Sequence, residues 1–254
     1  MALTKVKNLG LGTTDAQGNT LNGTNAGASF SGTDAQGNTL VGRNSGNLIS
    51  TGDDNTSIGY YSLDVTTTGS RNVALGKGSL GSNTTASDNT AVGTDAMISN
   101  TTGNSNVAVG TYALDANTTA NANTAVGASA LGATTTGAEN TGLGSVALQK
   151  NTTGANNTAV GRQALQENTT SANNTAVGMQ ALQNNTAGNN TAVGYQALDT
   201  NTSGAANVAV GYQAGLNQNC NYSTIIGDRA NGSGALSGDH NTFIGHYSGY
   251  ASTT

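Results

Sequence analysis

Proline and tryptophan are absent from this 254-residue chain, and only 8% of its residues are charged. Chains that stay disordered combine low hydrophobicity with high net charge or many prolines, and this chain has neither. Glycine contributes 37 residues, and asparagine, threonine and alanine dominate the remainder. Small polar residues in register indicate an ordered fold in which main-chain hydrogen bonds and close packing replace a large apolar core.

The scarcity of charge and cysteine excludes several classes of protein. The formal net charge is −5 and the eight basic residues are scattered, so no basic stripe supports nucleic-acid binding. A single cysteine, Cys220, excludes an internal disulfide. No stretch approaches the roughly 18 apolar residues of a membrane span, and the first residues lack the apolar run of a secretory signal. We expect a chain made in a cytoplasm, without membrane insertion.

A regular repeat runs along almost the whole chain. The pentapeptide Asn-Thr-Ala-Val-Gly, or a close variant, ends in a glycine that recurs first at intervals of 17 and later at intervals of 16 to 18. These repeat glycines are Gly42, Gly59, Gly76, Gly93, Gly110, Gly127, Gly144, Gly161, Gly178, Gly194, Gly211, Gly227 and Gly245. A unit of this length is too short for a helical hairpin repeat. The repeat predicts an all-β fold, a parallel β-solenoid with two short strands and two turns in each coil.

In one coil the first strand is predicted at residues 157–160 and the second near 163–166. Alternate strand residues face opposite sides, and a branched aliphatic residue always precedes the repeat glycine. We assign this aliphatic row to the coil interior as a core ladder. Its representative members are Val92, Val109, Val126, Leu143, Val160, Val177, Val193 and Val210.

The residue between the two inward positions is mostly alanine and is predicted to face outward. A row of alanines suggests close approach by another surface. The candidates for this trimer-facing row are Ala91, Ala108, Ala125, Ala159, Ala176 and Ala192. Ala-Leu pairs in the second predicted strand, such as Ala164-Leu165, place apolar atoms on both faces. Since a thin coil has one interior, we expect a partner chain, and the assembly is predicted to be a homotrimer.

Glycine and asparagine have positional roles in the repeat. The glycines are predicted to supply positive φ angles or room for close backbone approach. Asparagines stacked in register can form hydrogen-bonded ladders. One such set lies ten positions before the repeat glycine and comprises Asn83, Asn100, Asn117, Asn151, Asn168 and Asn201.

The repeat resembles the head repeat of trimeric autotransporter adhesins, the YadA-like proteins. Residues 158–161 match the Val-Ala-Ile-Gly core of that family, and Ala164 matches the small residue that follows. The resemblance covers residues 38–245 and implies a left-handed parallel β-roll that assembles as a trimer. The repeat of that family is commonly shorter, and the extra residues here fall in the Asn-Thr-Thr-Gly-Ala loop.

Similar repeats also occur in the tail-fibre proteins of bacteriophages. The opening residues 1–6, Met-Ala-Leu-Thr-Lys-Val, resemble the start of many such proteins. The secretion signal, coiled-coil stalk and membrane anchor of an adhesin are not found in the sequence. The resemblance therefore implies a structural virion protein made in the host cytoplasm.

Residues suited to catalysis or metal binding are sparse. Asp64 and Asp115 share one register but lie three coils apart, which is too far for the carboxylate pair of a glycosidase. His240 and His246 have no ligand spacing to cysteines or carboxylates. We expect no enzyme activity, no cofactor and no metal. Ice binding by threonine ladders is also disfavoured, because the adjacent pair Thr152-Thr153 falls in a predicted loop.

Five of the eight tyrosines lie near the C-terminal end, from Tyr195 onward. One interpretation is an end cap that shields the last coil of a solenoid. The alternative is a receptor-contacting tip at which tyrosine rings stack on sugars. The candidate receptor contacts are Tyr222, His246, Tyr247 and Tyr250.

These observations predict a trimeric tail fibre or spike that serves host attachment on a phage particle. Residues 1–37 are assigned to attachment to other virion proteins, residues 38–245 to the solenoid and residues 246–254 to a cap or tail. The expected partners are two further copies of the chain, those virion proteins and host surface polysaccharide. Two alternatives stay open, a capsid decoration or neck fibre protein and the head of a bacterial trimeric surface adhesin.

Overall fold

The computed structural model describes residues 13–31, 34–232 and 238–250, and these are all-β with turns. The chain divides into two compact units, residues 1–122 (unit 1) and residues 123–254 (unit 2). In each unit, strands from successive coils pair in parallel, so that equivalent repeat positions lie opposite each other, as Val73 and Thr90 do in unit 1 and Thr158 and Thr175 do in unit 2. The predicted β-solenoid and its coil length are confirmed.

Each coil contributes one short strand. In unit 1 the strands are β1 (Thr13–Thr14), β2 (Thr20–Asn22), β3 (Thr39–Val41), β4 (Thr56–Ile58), β5 (Val73–Leu75), β6 (Thr90–Val92) and β7 (Val107–Val109). In unit 2 they are β8 (Thr124–Val126), β9 (Thr141–Leu143), β10 (Thr158–Val160), β11 (Thr175–Val177), β12 (Thr191–Val193), β13 (Val208–Val210), β14 (Thr224–Ile226) and β15 (Thr242–Ile244).

The solenoid of unit 1 begins earlier than the sequence predicts. Strand β1 pairs with β2 in the antiparallel direction, but β2 pairs with β3 in parallel and in register. Strand β2 therefore joins the parallel sheet, although it lies within the segment 1–37 that the sequence assigns to attachment. Residues 1–12 lie outside the described residues, and their role in attachment stays a prediction.

The two faces of the strand are the reverse of the prediction. The middle residue of the strand points inward, and Ala91, Ala108, Ala125, Ala159, Ala176 and Ala192, predicted to face a partner, are completely buried. The residue before the repeat glycine points outward, so the predicted core row of Val92, Val109, Val126, Leu143, Val160, Val177, Val193 and Val210 is half-buried or exposed. Exposure reaches 45% at Leu143.

Space inside the coil explains this arrangement. At the inward strand position of β9, a Cβ atom added to Gly142 would lie 3.3 Å from Leu131 Cγ and 3.4 Å from the Ala147 carbonyl oxygen. In most coils the inward position therefore holds a small residue, whereas β3 and β14 place the fully buried Leu40 and Ile225 there. The alternation of a strand fixes which side chains share a face, but it does not say which face is inside.

The predicted second strand is wrong. Residues near 163–166 form a turn, in which Gln163 (φ 62°) and Leu165 (φ 51°) adopt the left-handed backbone region. Because a left-handed residue interrupts the alternation of a strand, Ala164 and Leu165 both point inward and both are completely buried. The Ala-Leu pairs therefore build the core and carry no argument for a partner chain.

Two asparagine ladders line the interior. The predicted ladder is confirmed by hydrogen bonds such as Asn100 Nδ2 to Asn83 Oδ1 (3.1 Å) and Asn168 Nδ2 to Asn151 Oδ1 (3.2 Å). A second ladder uses the asparagine just before each strand. There the backbone N–H and Nδ2 of Asn157 both donate to Asn140 Oδ1, at 3.0 and 3.1 Å. These bonds satisfy buried polar groups in a core that has little apolar volume.

The repeat glycines also form a ladder and meet the prediction made for them. Gly161 has φ 133°, and a Cβ atom added there would lie 2.5 Å from the carbonyl oxygen of Gly178 in the next coil. Only glycine allows both this conformation and this approach.

Candidate functional site

The strand surface that points outward is the candidate functional site, and we name it the Thr/Val face. It consists of the first and third residues of each strand from β2 to β15. Threonine dominates the first position and an aliphatic residue the third, and none of these positions carries a charged side chain. The exposed fraction is 40% at Ile58 and 44% at Leu75 in unit 1, and 38% at Ile226 in unit 2. Each unit thus presents a regular, uncharged and largely apolar surface.

Two rows of residues border this face, and several of their side chains are large or charged. The leading edge is the residue two positions before each strand, and the trailing edge is the residue two positions after it. In unit 1 the leading edge contains Asp54, Arg71 and Asp88, and the trailing edge contains Arg43, Tyr60 and Lys77. In unit 2 the leading edge ends in Tyr222 and His240, and the trailing edge contains Tyr195, Tyr212, Asp228 and His246.

Neighbouring coils interact along each edge of unit 1. The guanidinium of Arg71 donates two hydrogen bonds to the carboxylate of Asp88, at 2.6 and 2.9 Å. These bonds lower the pKa of Asp88 and raise that of Arg71. On the trailing edge the Arg43 guanidinium lies 5.7 Å from the centre of the Tyr60 ring. Side chains one coil apart are therefore close enough to select each other by charge.

In unit 2 an aromatic column extends the trailing edge. The rings of Tyr195 and Tyr212 stack with centres 5.3 Å apart, and the Arg229 guanidinium lies 5.1 Å from the Tyr212 ring centre. Arg229 also donates a hydrogen bond of 2.7 Å to Tyr247 Oη. Tyr212 is thus flanked by a ring on one neighbour and a cation on the other, which stabilises the successive coils.

Three of the four candidate receptor contacts lie together. The ring of Tyr247 makes edge contacts with His246 and Tyr250, at centre distances of 4.3 and 4.8 Å. Nδ1 of His246 lies 3.1 Å from Asp228 Oδ2. The fourth, Tyr222, lies on the leading edge and stacks on His240 at 5.0 Å. These rings contact one another, as an end cap requires, and Tyr222 and Tyr250 are also 60% and 43% exposed.

The interior contains a carboxyl group that the repeat pattern does not explain. Asp199 is buried, with 8% of its surface exposed, and Asn184 Nδ2 lies 3.4 Å from its Oδ1. Burial raises the pKa of Asp199 to about 6. Burial also raises the pKa of Asp64 and of Asp115, the two carboxyls considered for catalysis.

Groups suited to metal binding or membrane insertion were sought throughout the described ranges. Among residues 13–31, 34–232 and 238–250, no three histidine, cysteine or acidic side chains come together as metal ligands would. The same residues contain no helix long and apolar enough to span a membrane. The absence of enzyme activity stays a prediction.

Comparison with known proteins gives no relative. No protein-family model matches the chain, and no curated protein or solved structure is similar to it. The Thr/Val face, its two edges and the aromatic residues of unit 2 are the features of the chain that bear on its function.

Proposed function

We propose that the chain is a homotrimeric structural protein of a bacteriophage particle, a tail fibre or spike that serves host attachment. The observation that carries this proposal is the Thr/Val face, an uncharged surface that recurs on each described coil of both units. Exposed apolar ladders of this regularity promote aggregation unless they are covered. A second copy of the same chain offers an equally regular surface with the same spacing of about 4.8 Å between strands.

Three copies are proposed because the repeat resembles the head repeat of trimeric adhesins. A closed ring of parallel chains covers the Thr/Val face of every copy and leaves no copy of that face for further growth. The interface proposed here is the aliphatic row and not the buried alanine row, so the structure changes which residues the trimer would use.

The oligomeric state tests this part of the proposal. We expect light scattering on the full chain to give three times the mass of one chain. Replacing Val160 and Val177 with lysine places two charges on the Thr/Val face and should shift the protein towards monomers. The matched control replaces Gln163 and Gln180, which lie in the turns beyond that face, with lysine and should leave the trimer intact. A wild-type chain that is a stable monomer contradicts the proposal.

The place in the particle is proposed from the resemblance to tail-fibre repeats. Gold-labelled antibodies against the chain should bind the distal tail in electron micrographs of the phage that encodes it. Labelling of the capsid or neck would favour a decoration or neck fibre protein. Labelling of a bacterial surface without phage would favour an adhesin head.

Host surface polysaccharide is the proposed receptor. Purified chain should compete with the phage for adsorption to host cells, and a variant with Tyr222, Tyr247 and Tyr250 changed to alanine should compete less. Circular dichroism of that variant separates loss of receptor contact from loss of the fold. Full competition by the folded variant would restrict the three tyrosines to the end cap.

Ice binding is a second candidate, because the strand threonines prove to point outward. Thr158, Thr175 and Thr191 occupy equivalent positions on successive strands of unit 2, which sets a regular array of hydroxyl and methyl groups about 4.8 Å apart. Thermal hysteresis of the purified chain tests this function. A trimer that covers the Thr/Val face would remove the required surface, so the two candidates predict different oligomeric states.

A further inference from the structure

The two edges of the Thr/Val face carry complementary side chains that a single chain cannot bring together. On any strand the leading-edge and trailing-edge residues are six positions apart, as Asp54 and Tyr60 are, and extended backbone of that length spans about 20 Å. Side chains on the same edge can contact each other within one chain, as Arg71 and Asp88 do. Contacts between opposite edges require a second copy.

Parallel chains in a closed ring place the trailing edge of one copy beside the leading edge of the next. Pairing at the same coil is unfavourable, since it sets Arg71 against Lys77 across β5. Pairing one coil further along removes this conflict. The trailing-to-leading pairs then include five of charged or aromatic residues, Arg43 with Asp54, Tyr60 with Arg71 and Lys77 with Asp88 in unit 1, and Tyr212 with Tyr222 and Asp228 with His240 in unit 2.

Each of these five pairs is chemically matched. Two join a cation to a carboxylate, one joins a guanidinium to a tyrosine ring, one joins two tyrosines, and one joins an acid to a histidine. The residues are exposed or half-buried in the chain, so they are available to a neighbour.

We infer that the Thr/Val face binds a parallel second copy of this chain at the same height along the axis, with the trailing edge of each coil against the leading edge of the neighbour's next coil, and that the edge pairs fix this register. This inference depends on the proposed self-assembly and adds the direction, the register and the contacting residues. The apolar rows repeat almost identically at every coil and select no register by themselves. The charged and aromatic edge residues differ from coil to coil and therefore can select it.

Zero-length crosslinking with a carbodiimide tests the register, because it joins a lysine to a carboxylate only when the two are in contact. We expect peptides that link Lys77 to Asp88, enriched in the dimer and trimer bands of a denaturing gel. The conservative variant Lys77→Arg keeps the charge but cannot be linked, so these bands should weaken while light scattering still shows the trimer. Lys150, which contacts Glu167 within the chain at 2.6 Å, is the internal positive control.

The alternative outcomes separate this inference from the proposed function. Links from Lys77 to Asp54 in the oligomer bands would show the opposite shift and overturn the inferred register. A second contrary result would be a protein that scatters as a trimer but whose Lys77 is linked only to Asp95, in the monomer band. That result would overturn the inferred register, although self-assembly would stand. A protein that scatters as a monomer would contradict both.

A charge exchange gives an independent readout. Arg43→Glu should weaken assembly, and adding Asp54→Arg should restore it, because the pair is reversed but still complementary. The concentration at which the trimer dissociates, measured by sedimentation, reports both effects. If Asp54→Arg does not rescue Arg43→Glu while the double variant keeps the wild-type circular dichroism, the two side chains do not meet and the register is wrong.

Discussion

At the scale of single residues, the volume available inside a coil decides the direction of each strand side chain. The inward position of β10 is held by Ala159, which has no exposed surface. The equivalent position of β9 has room for a methyl group between Leu131 and a backbone carbonyl. In the coils with an inward alanine, the interior is stabilised by alanine packed on leucine and by asparagine ladders, and each methylene group added there is expected to strain it.

Ala159→Val tests this packing. Two extra methyl groups in the interior should lower the free energy of unfolding by about 1–3 kcal/mol, the usual cost of overpacking. Thr170→Val, at an exposed loop position of the same coil, is the matched control and should change stability by less than about 0.5 kcal/mol. Chemical denaturation of both variants supplies the measurement. Equal stability of Ala159→Val and the wild type would mean that the interior has spare volume.

Asp199 makes the stability of unit 2 depend on pH. Its pKa in the folded chain is about 6, above the value of about 3.9 in an unfolded chain. Folding therefore favours the protonated form, and the stabilisation is fully present below about pH 4 and is lost as the pH rises through about 6. We expect the free energy of unfolding to fall by about 2 kcal/mol between pH 4 and pH 7.5 from this group.

The variant Asp199→Gln isolates this effect. Gln149, Gln166 and Gln183 occupy the same register in preceding coils and form a hydrogen-bonded row, with 3.2 Å from Gln166 Nε2 to Gln149 Oε1 and 3.3 Å from Gln183 Nε2 to Gln166 Oε1. A glutamine at 199 extends that row without a charge. Its unfolding should lose the pH dependence assigned to Asp199, and an unchanged pH profile would assign that dependence elsewhere.

At the scale of the coil, the period of the repeat predicted the stacking, the glycine turns and one asparagine ladder. Each of these follows from equivalent residues that lie above one another, which periodicity reports directly. The period did not reveal which strand face is inside, because alternation is symmetric until side-chain volume is considered. It also missed the left-handed backbone of Leu165, since that conformation is unusual for leucine and leaves no mark on the repeat.

The coil from Gly178 to Gly194 is one residue shorter than those before it, and its effect is local. Asn185 occupies the predicted ladder, but its Nδ2 donates to the Ala187 carbonyl oxygen at 2.6 Å. Oδ1 of Asn168, one coil before, is left buried without a hydrogen-bond partner. A buried unsatisfied acceptor costs about 1–3 kcal/mol.

Insertion of one threonine after Thr186 restores the full repeat length of this coil. We expect Asn185 Nδ2 to reach Asn168 Oδ1, as its counterparts do in other coils, and the protein to be stabilised by about 1 kcal/mol. A threonine inserted after Thr169, in a coil that already has the full repeat length, is the control and should destabilise. Thermal unfolding compares the two variants, and stabilisation by both would show that loop length acts without the ladder.

At the scale of the whole molecule, the two phenylalanines of the chain lie in the first and last coils that the structure describes. Phe30 packs with Leu21 and Ala26 against the core of the first coils of unit 1. Phe30 occupies the same position in its coil as the asparagines of the predicted ladder occupy in later coils. Phe243 takes the inward alanine position on β15, the last strand of unit 2, and its ring lies against Gly249. Within the described residues β15 has a parallel neighbour on one side only and β2 pairs in parallel only with β3, so a larger apolar residue there covers what another coil would otherwise cover.

Residues 1–12 are the segment that we expect to attach the chain to the particle. Since the solenoid of unit 1 already includes β2, the segment to remove is residues 1–12 and not residues 1–37. We expect the shortened chain to keep its trimeric mass and its β-sheet circular dichroism, because every parallel strand is retained. When this chain is supplied in trans to a phage that lacks the gene, it should fail to join the particle.

Removal of residues 1–37 is the control, because it would also delete β2 and Phe30. We expect this longer deletion to lower stability, which separates a loss of attachment from a loss of the fold. Particles that incorporate the chain shortened by residues 1–12 as well as the full chain would contradict the attachment role.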